Sequence, residues 1–214
     1  MAFSVQGYYA ILDVKGSSFD RPSILHHAGE LLAARPCCLQ LRSKHLDLAA
    51  LCRLARDLQP LCLGQHVPFC INDRIDIAIA VGADAVHLGQ SDLPLAEAQR
   101  LRSNARIDRL VIGVSTHTLE QAQAADAQGA DYIGFGPIFP TNSKEDADPV
   151  VGLVALRAVT AAVKVPVVAI GGITLDAVPE VVRCGASAVA AIAAVDHAPS
   201  RTIAGQRIAA AFRS

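Results

Sequence analysis

Two carboxylates in this sequence sit where a metal ion and a phosphate could meet. Asp73 follows Cys70-Ile71-Asn72, and Asp92 follows Val86-His87-Leu88-Gly89-Gln90-Ser91. Each closes an apolar run on polar residues. Between the runs Ile75, Ile77, Ala78, Ile79, Ala80 and Val81 read as a buried helix that Gly82 ends. The order is strand, helix, strand, so both carboxylates fall just past the C-terminal ends of adjacent parallel strands, the face on which ligands bind. Two neighbouring carboxylates suit a hard cation such as Mg²⁺, commonly shared with a substrate phosphate. Read singly, Asp73 would cap the following helix and Asp92 would sit in a turn.

The elements that must position them repeat along the chain. The pattern predicts strands over 8–13, 37–41, 67–71, 85–88, 110–115, 131–135, 165–170 and 187–192. Helices are predicted over 22–34, 46–61, 75–81, 94–101, 118–127, 153–163, 176–183 and 202–212, with Pro94 opening one and Gly129 stopping another. Several strands are apolar throughout, as parallel strands covered on the outside must be. Eight strand-helix units predict one (β/α)₈ barrel domain over 1–214, at the small end of that fold's range. An open doubly wound sheet is the other arrangement, but no G-x-G-x-x-G follows the first strand.

Composition narrows the functional classes. With 52% apolar residues the 214-residue chain can bury a sizeable core, and a net charge of -1 gives no reason to expect a nucleic-acid partner. No apolar run is long enough to span a bilayer, and residues 1–7 lack the pattern of a signal peptide, so no membrane partner is expected. The six cysteines, Cys37, Cys38, Cys52, Cys62, Cys70 and Cys184, form no C-x-x-C pair and read as reduced thiols of a cytoplasmic protein.

The predicted strand ends carry a consistent chemistry. Gln40, Arg42 and Lys44 end the second strand; Asn72 and Asp73 the third; His87, Gln90 and Asp92 the fourth; Ser115 the fifth. Thr141, Ser143 and Lys144 lie in the loop after the sixth, and Gly171-Gly172 follow the seventh. Cations, paired carboxylates and hydroxyls at one mouth suit a diphosphate held with Mg²⁺. The glycine pair, with the eighth strand's end at Ile192-Ala193, suits a second phosphate site made of backbone N–H groups. His87 lies within an apolar strand and reads as a satisfied core histidine. No nucleophile dyad is evident.

Six stretches carry a resemblance. They are Gln40-Leu41-Arg42-Ser43-Lys44, Ile71-Asn72-Asp73-Arg74, His87-Leu88-Gly89-Gln90-Ser91-Asp92, Gly113-Val114-Ser115, the loop from Gly134 to Lys144, and Ala169-Ile170-Gly171-Gly172-Ile173. In these the chain resembles the thiamine-phosphate synthase family over nearly its whole length. The resemblance implies a cytosolic (β/α)₈ enzyme that joins 4-amino-2-methyl-5-hydroxymethylpyrimidine diphosphate to a thiazole phosphate. Thiamine phosphate and diphosphate would be the products. It implies that Gln40, Arg42, Lys44, Asn72, Ser115 and Lys144 hold the pyrimidine diphosphate, with Leu41 and Ser43 in the same binding stretch. Arg42, Lys44, Ser115 and Lys144 would be the catalytic residues, and Asp73 and Asp92 would bind Mg²⁺. Thr141, Asn142, Ser143, Gly172, Ile192 and Ala193 would surround the thiazole phosphate. The partners are then small molecules, and the reading leaves room for a homo-oligomer.

The chain departs from the family pattern twice. Thr141-Asn142-Ser143-Lys144 stands for T-x-T-K, which keeps the hydroxyl, and Ala193 stands where a serine is usual. The rivals are a thiazole tautomerase-like isomerase, which typically has a histidine where this chain has Pro137, and a noncatalytic binder of thiamine phosphate.

Overall fold

The computed structural model describes residues 3–16, 20–141 and 149–213. Strands and helices alternate: β1 (Gly7–Asp13), α1 (Arg21–Ala33), β2 (Cys38–Arg42), α2 (Leu48–Gly64), β3 (Phe69–Asn72), α3 (Ile75–Val81), β4 (Ala85–Leu88), α4 (Leu95–Asn104) and β5 (Val111–Thr116). The chain continues with α5 (Leu119–Ala127), β6 (Tyr132–Phe135), α6 (Gly152–Ala162), β7 (Val167–Ile170), α7 (Val178–Arg183), β8 (Ala188–Ala190), α8 (Ile192–Asp196) and α9 (Arg201–Ala210). All neighbouring strands are parallel, and β8 pairs with β1 through Gly7↔Ala188 and Tyr8↔Val189, closing an eight-stranded barrel.

Strand periodicity divides the core in two. Successive side chains point to opposite faces, so Tyr8, Ala10 and Leu12 of β1 pack under the helices with Leu39, Leu41, Phe69, Ile71, Ile133 and Phe135. Tyr9 and Ile11 point into the barrel with Cys38, Cys70, Ala85, Tyr132, Val168 and Ala188. Both faces are buried, which is why these strands read as continuous apolar runs.

A short sequence unit recurs at the end of the barrel where the strands begin. Gly82-Ala83-Asp84, Gly129-Ala130-Asp131 and Gly185-Ala186-Ser187 each lie between a helix and the next strand. Each glycine has a positive φ (69°, 79° and 91°), the left-handed turn that ends a helix at low cost. The third residue's side chain then accepts the N–H of a residue on the preceding strand: Phe69 N to Asp84 at 2.9 Å, Ile112 N to Asp131 at 2.7 Å, Val167 N to Ser187 Oγ at 3.4 Å. At the site end, Asp47 and Thr118 cap α2 and α5 by accepting the N–H of Ala50 and Gln121. Each such cap contributes about 1 kcal/mol.

Several predicted element ends shift. The eighth strand stops at Ala190, and Ile192 and Ala193 open the short helix α8 instead of ending a strand. The second helix runs through Pro60 to Gly64. The cysteines are free, and burial pushes the Cys37 and Cys62 thiols up to about 12. No helix among the described residues is long and apolar enough to cross a membrane.

Candidate active site

A cavity of about 820 Å³ opens at the C-terminal ends of the strands. Gln40, Arg42, Asn72 and Ser115 line it from β2, β3 and β5. From the other side of the barrel come Gly172, after β7, and Ile192 and Ala193, at the start of α8.

Arg42 is held by a residue that the sequence pattern does not single out. Asp13 ends β1, lies opposite Arg42 in the register, and accepts its Nη1 at 2.5 Å. The Asp13 side chain is 3% exposed and the Arg42 side chain 14%, so this pair is screened little by solvent.

Lys44, Asp73 and Asp92 form a second cluster beside Asn72. Lys44 Nζ donates to Asp73 Oδ2 at 2.5 Å. Gly89 N–H donates to Asp92 Oδ2 at 2.6 Å, an approach close enough that a Cβ at position 89 would stand 2.9 Å from the same oxygen. Burial raises the Asp92 carboxyl above its ordinary value, and the hydrogen bond that its protonated form donates to the neighbouring Asp73 carboxylate raises it further. Asp73 has φ 64° and does not cap α3, whose N-cap Arg74 makes no side-chain cap bond. Two carboxyl groups forced together are a donor set that suits a divalent cation, which removes their repulsion. Among the described residues no group of three or more His, Cys, Asp or Glu is arranged to hold a metal ion. Mg²⁺ bound by one or two carboxylates commonly completes its shell with water and substrate phosphate.

Loop six packs against the end of β7. Ile138 N–H donates to Ile170 O and Phe139 N–H to Gly171 O, both at 3.0 Å. A Cβ on Gly172 (φ 64°) would lie 2.4 Å from Pro140 O, and one on Gly171 (φ 96°) 2.5 Å from Pro137. The glycine pair is therefore required by the close passage of this loop.

Deeper in the barrel is a polar floor. Gln40 Nε2 donates to Tyr9 Oη (3.0 Å), Tyr9 Oη meets Tyr132 Oη (2.8 Å), Tyr132 Oη meets His87 Nδ1 (3.1 Å), and His87 Nε2 meets Ser115 Oγ (2.9 Å). Glycines make the room: a Cβ at 113 would lie 2.1 Å from the Tyr132 ring, and one at 134 would lie 3.1 Å from His87.

Residues 9–195 match the family model described as thiamine monophosphate synthase. The chain belongs to this family. Curated relatives named thiamine-phosphate synthase include one from Chlorobium phaeovibrioides, 46% identical over 170 residues (79% of each chain). One from Methanospirillum hungatei is 42% identical over 182 residues (85% of this chain, 86% of that one). A solved thiamine phosphate pyrophosphorylase from Pyrococcus furiosus superposes with TM-score 0.83 at 32% identity, covering 98% of this chain and 96% of that one. A 3-hexulose-6-phosphate synthase shares the fold alone, at TM-score 0.75 and 19% identity.

Against the sequence expectations, Gln40, Arg42, Asn72, Ser115, Thr141, Gly172, Ile192 and Ala193 share the cavity lining. Lys44, Asp73 and Asp92 gather beside it. Leu41 turns its side chain into the helix layer. The Ser43 hydroxyl is occupied by Val14 O and by the N–H groups of His45 and Leu46, so only the backbone of these two residues remains for a ligand. Asn142, Ser143 and Lys144 lie outside the described residues. His87 is satisfied, as its apolar strand suggests, but it also lines the cavity. Asp13, Tyr9 and Tyr132 escape the sequence reading. Period two puts Tyr9, Ile11 and Asp13 on one face of β1, and the closed barrel is what makes that face the inner one.

Proposed function

We propose that the cavity takes 4-amino-2-methyl-5-hydroxymethylpyrimidine diphosphate on the β2–β5 side and a 4-methyl-5-(2-phosphoethyl)thiazole, with or without a carboxylate, on the β7–β8 side. Joining them gives thiamine phosphate and releases diphosphate. The reaction class, a transferase of thiamine biosynthesis, comes with the family and its curated members. The observation that carries the division of the site is the lining of one cavity by Gln40, Arg42, Asn72 and Ser115 on one side and Gly172, Ile192 and Ala193 on the other.

Gln40, Asn72 and Ser115 orient the pyrimidine. Arg42 and Lys44, with Lys144, balance the charge of the departing diphosphate. Asp73 and Asp92 would hold Mg²⁺, which when bound neutralises phosphate charge. Thr141, Asn142, Ser143, Gly172, Ile192 and Ala193 surround the thiazole phosphate, with the open N–H groups of the first turn of α8 supplying donors. Joining the two substrates asks for leaving-group stabilisation and alignment more than for a strong base. A wall of amides, cations and one hydroxyl supports that chemistry. The same reading makes the chain a cytoplasmic enzyme with small-molecule partners.

The test is diphosphate release by the purified protein. Release is expected only with both substrates and Mg²⁺ present. Full-rate release without the thiazole phosphate, or after chelation of Mg²⁺, would sink the reading.

A further inference from the structure

The buried chain from Gln40 to Ser115 has a fixed direction. Cys70 donates its S–H to Ile71 O at 3.7 Å, so its sulfur faces Gln40 as an acceptor, 4.0 Å from Nε2. That orients the Gln40 amide with its NH₂ toward Cys70 and Tyr9. Tyr9 Oη then accepts from Gln40, and its own hydrogen goes to Tyr132 Oη at 2.8 Å. An oxygen is a stronger acceptor than the Cys38 and Cys70 thiols also in reach. Burial holds both phenols well above their ordinary range, so each keeps its hydrogen. The Tyr132 hydrogen has two acceptors in reach, His87 Nδ1 at 3.1 Å and Cys70 Sγ at 3.9 Å, and the ring nitrogen is both nearer and stronger. His87 accepting at Nδ1 carries its hydrogen on Nε2 and donates to Ser115 Oγ at 2.9 Å. The Ser115 hydrogen is left for the cavity.

We propose that Tyr9, Tyr132 and His87 are positioning residues that fix the hydrogen-bond polarity of the two cavity groups at the ends of this chain. The Gln40 carbonyl oxygen is presented as an acceptor and the Ser115 hydroxyl as a donor. The inference rests on Gln40 and Ser115 being the pyrimidine contacts proposed above. An amino-pyrimidine carrying a diphosphate offers the complement, an exocyclic N–H donor and acceptor oxygens. Tyr132 is the link that decides the polarity. Removing its hydroxyl takes away the donor that holds His87 Nδ1 as an acceptor, so the Nε2–H tautomer that turns the Ser115 hydrogen toward the cavity loses its support.

The experiment joins a spectroscopic readout to kinetics. Long-range ¹⁵N–¹H spectra of the ligand-free protein, in mildly alkaline buffer, should show the His87 hydrogen on Nε2 in wild type and a smaller Nε2–H share in Tyr132→Phe. The same variant should lose about tenfold or more in kcat, with KM for the thiazole phosphate unchanged. His87→Gln, whose amide nitrogen can take the Nε2 place, should recover much of the activity that His87→Leu loses. A wild-type hydrogen on Nδ1, or Tyr132→Phe with unchanged tautomer and unchanged kcat, would overturn the proposal. Ser115→Ala separates the two readings. If its turnover is undiminished while the tautomer shift is seen, the pyrimidine placement fails and takes the proposed role with it. If its turnover collapses while Tyr132→Phe changes nothing, only the positioning chain fails.

Discussion

Arg42 and Asp13, partners in the β1–β2 register, meet at 2.5 Å, and Arg42 lines the cavity. A buried cation stripped of its counter-charge is costly, and an anionic ligand can take the missing partner's place. Asp13→Asn, which keeps an acceptor oxygen but loses the charge, should therefore lower the stability of the ligand-free protein by about 1–3 kcal/mol. The pyrimidine diphosphate should raise the melting temperature of this variant more than that of wild type. Equal rises, measured by thermal melts with and without ligand, would separate Arg42 from the diphosphate.

Asp92 should respond to pH and metal in opposite senses. Its folded carboxyl binds a proton more tightly than the unfolded one, because burial and Asp73 disfavour the charge. The stability it contributes is present below the ordinary carboxylate value of about 4 and lost as pH rises through the raised folded value. Without divalent cations, Asp92→Asn should match wild type in acid and gain on it as pH climbs through this window. The gain should reach only about 0.5–1 kcal/mol, since the group is partly solvated. With Mg²⁺ at neutral pH the order should reverse, wild type being stabilised and the variant not. Melts across a pH series with and without Mg²⁺ decide it.

Gly172→Ala asks the backbone for a strained φ and drives a Cβ toward Pro140 O. A loss of about 1–3 kcal/mol is expected, together with a raised KM for the thiazole phosphate. A variant as stable as wild type would mean that loop six shifts freely.

Ala193 lies at the second position of α8 and lines the cavity. Ala193→Ser adds one hydroxyl to a turn whose N–H groups already face a phosphate in the proposed arrangement. Binding of the thiazole phosphate should tighten by no more than about 1–3 kcal/mol, with Mg²⁺ dependence unchanged. Substrate titrations of both proteins provide the measurement, and a large loss of activity would reopen the assignment of this pocket.

The barrel was legible because strands buried on both faces and ended by polar residues leave few alternatives. The same burial hid the floor of the site. Nothing in the run Tyr8-Tyr9-Ala10-Ile11 says which tyrosine faces inward; the closed sheet decides that Tyr8 packs under the helices and Tyr9 inside. Asp13 looked like a strand end because its partner is 29 residues away and appears only through the register. The run from Ala188 to Val195 satisfies strand and helix patterns alike, so the break between β8 and α8 was not readable. Ser43 belongs to a motif, yet its hydroxyl shapes the turn after β2.

Tyr132 and residue 113 compete for one volume: the phenol ring fills the space where any side chain on β5 would begin. No other amino acid fits at 113 while the ring stays, and no polar floor survives if the ring leaves. In this chain the two positions are therefore coupled in one direction: a side chain introduced at 113 would displace the ring, and with it the buried connection between Gln40 and Ser115.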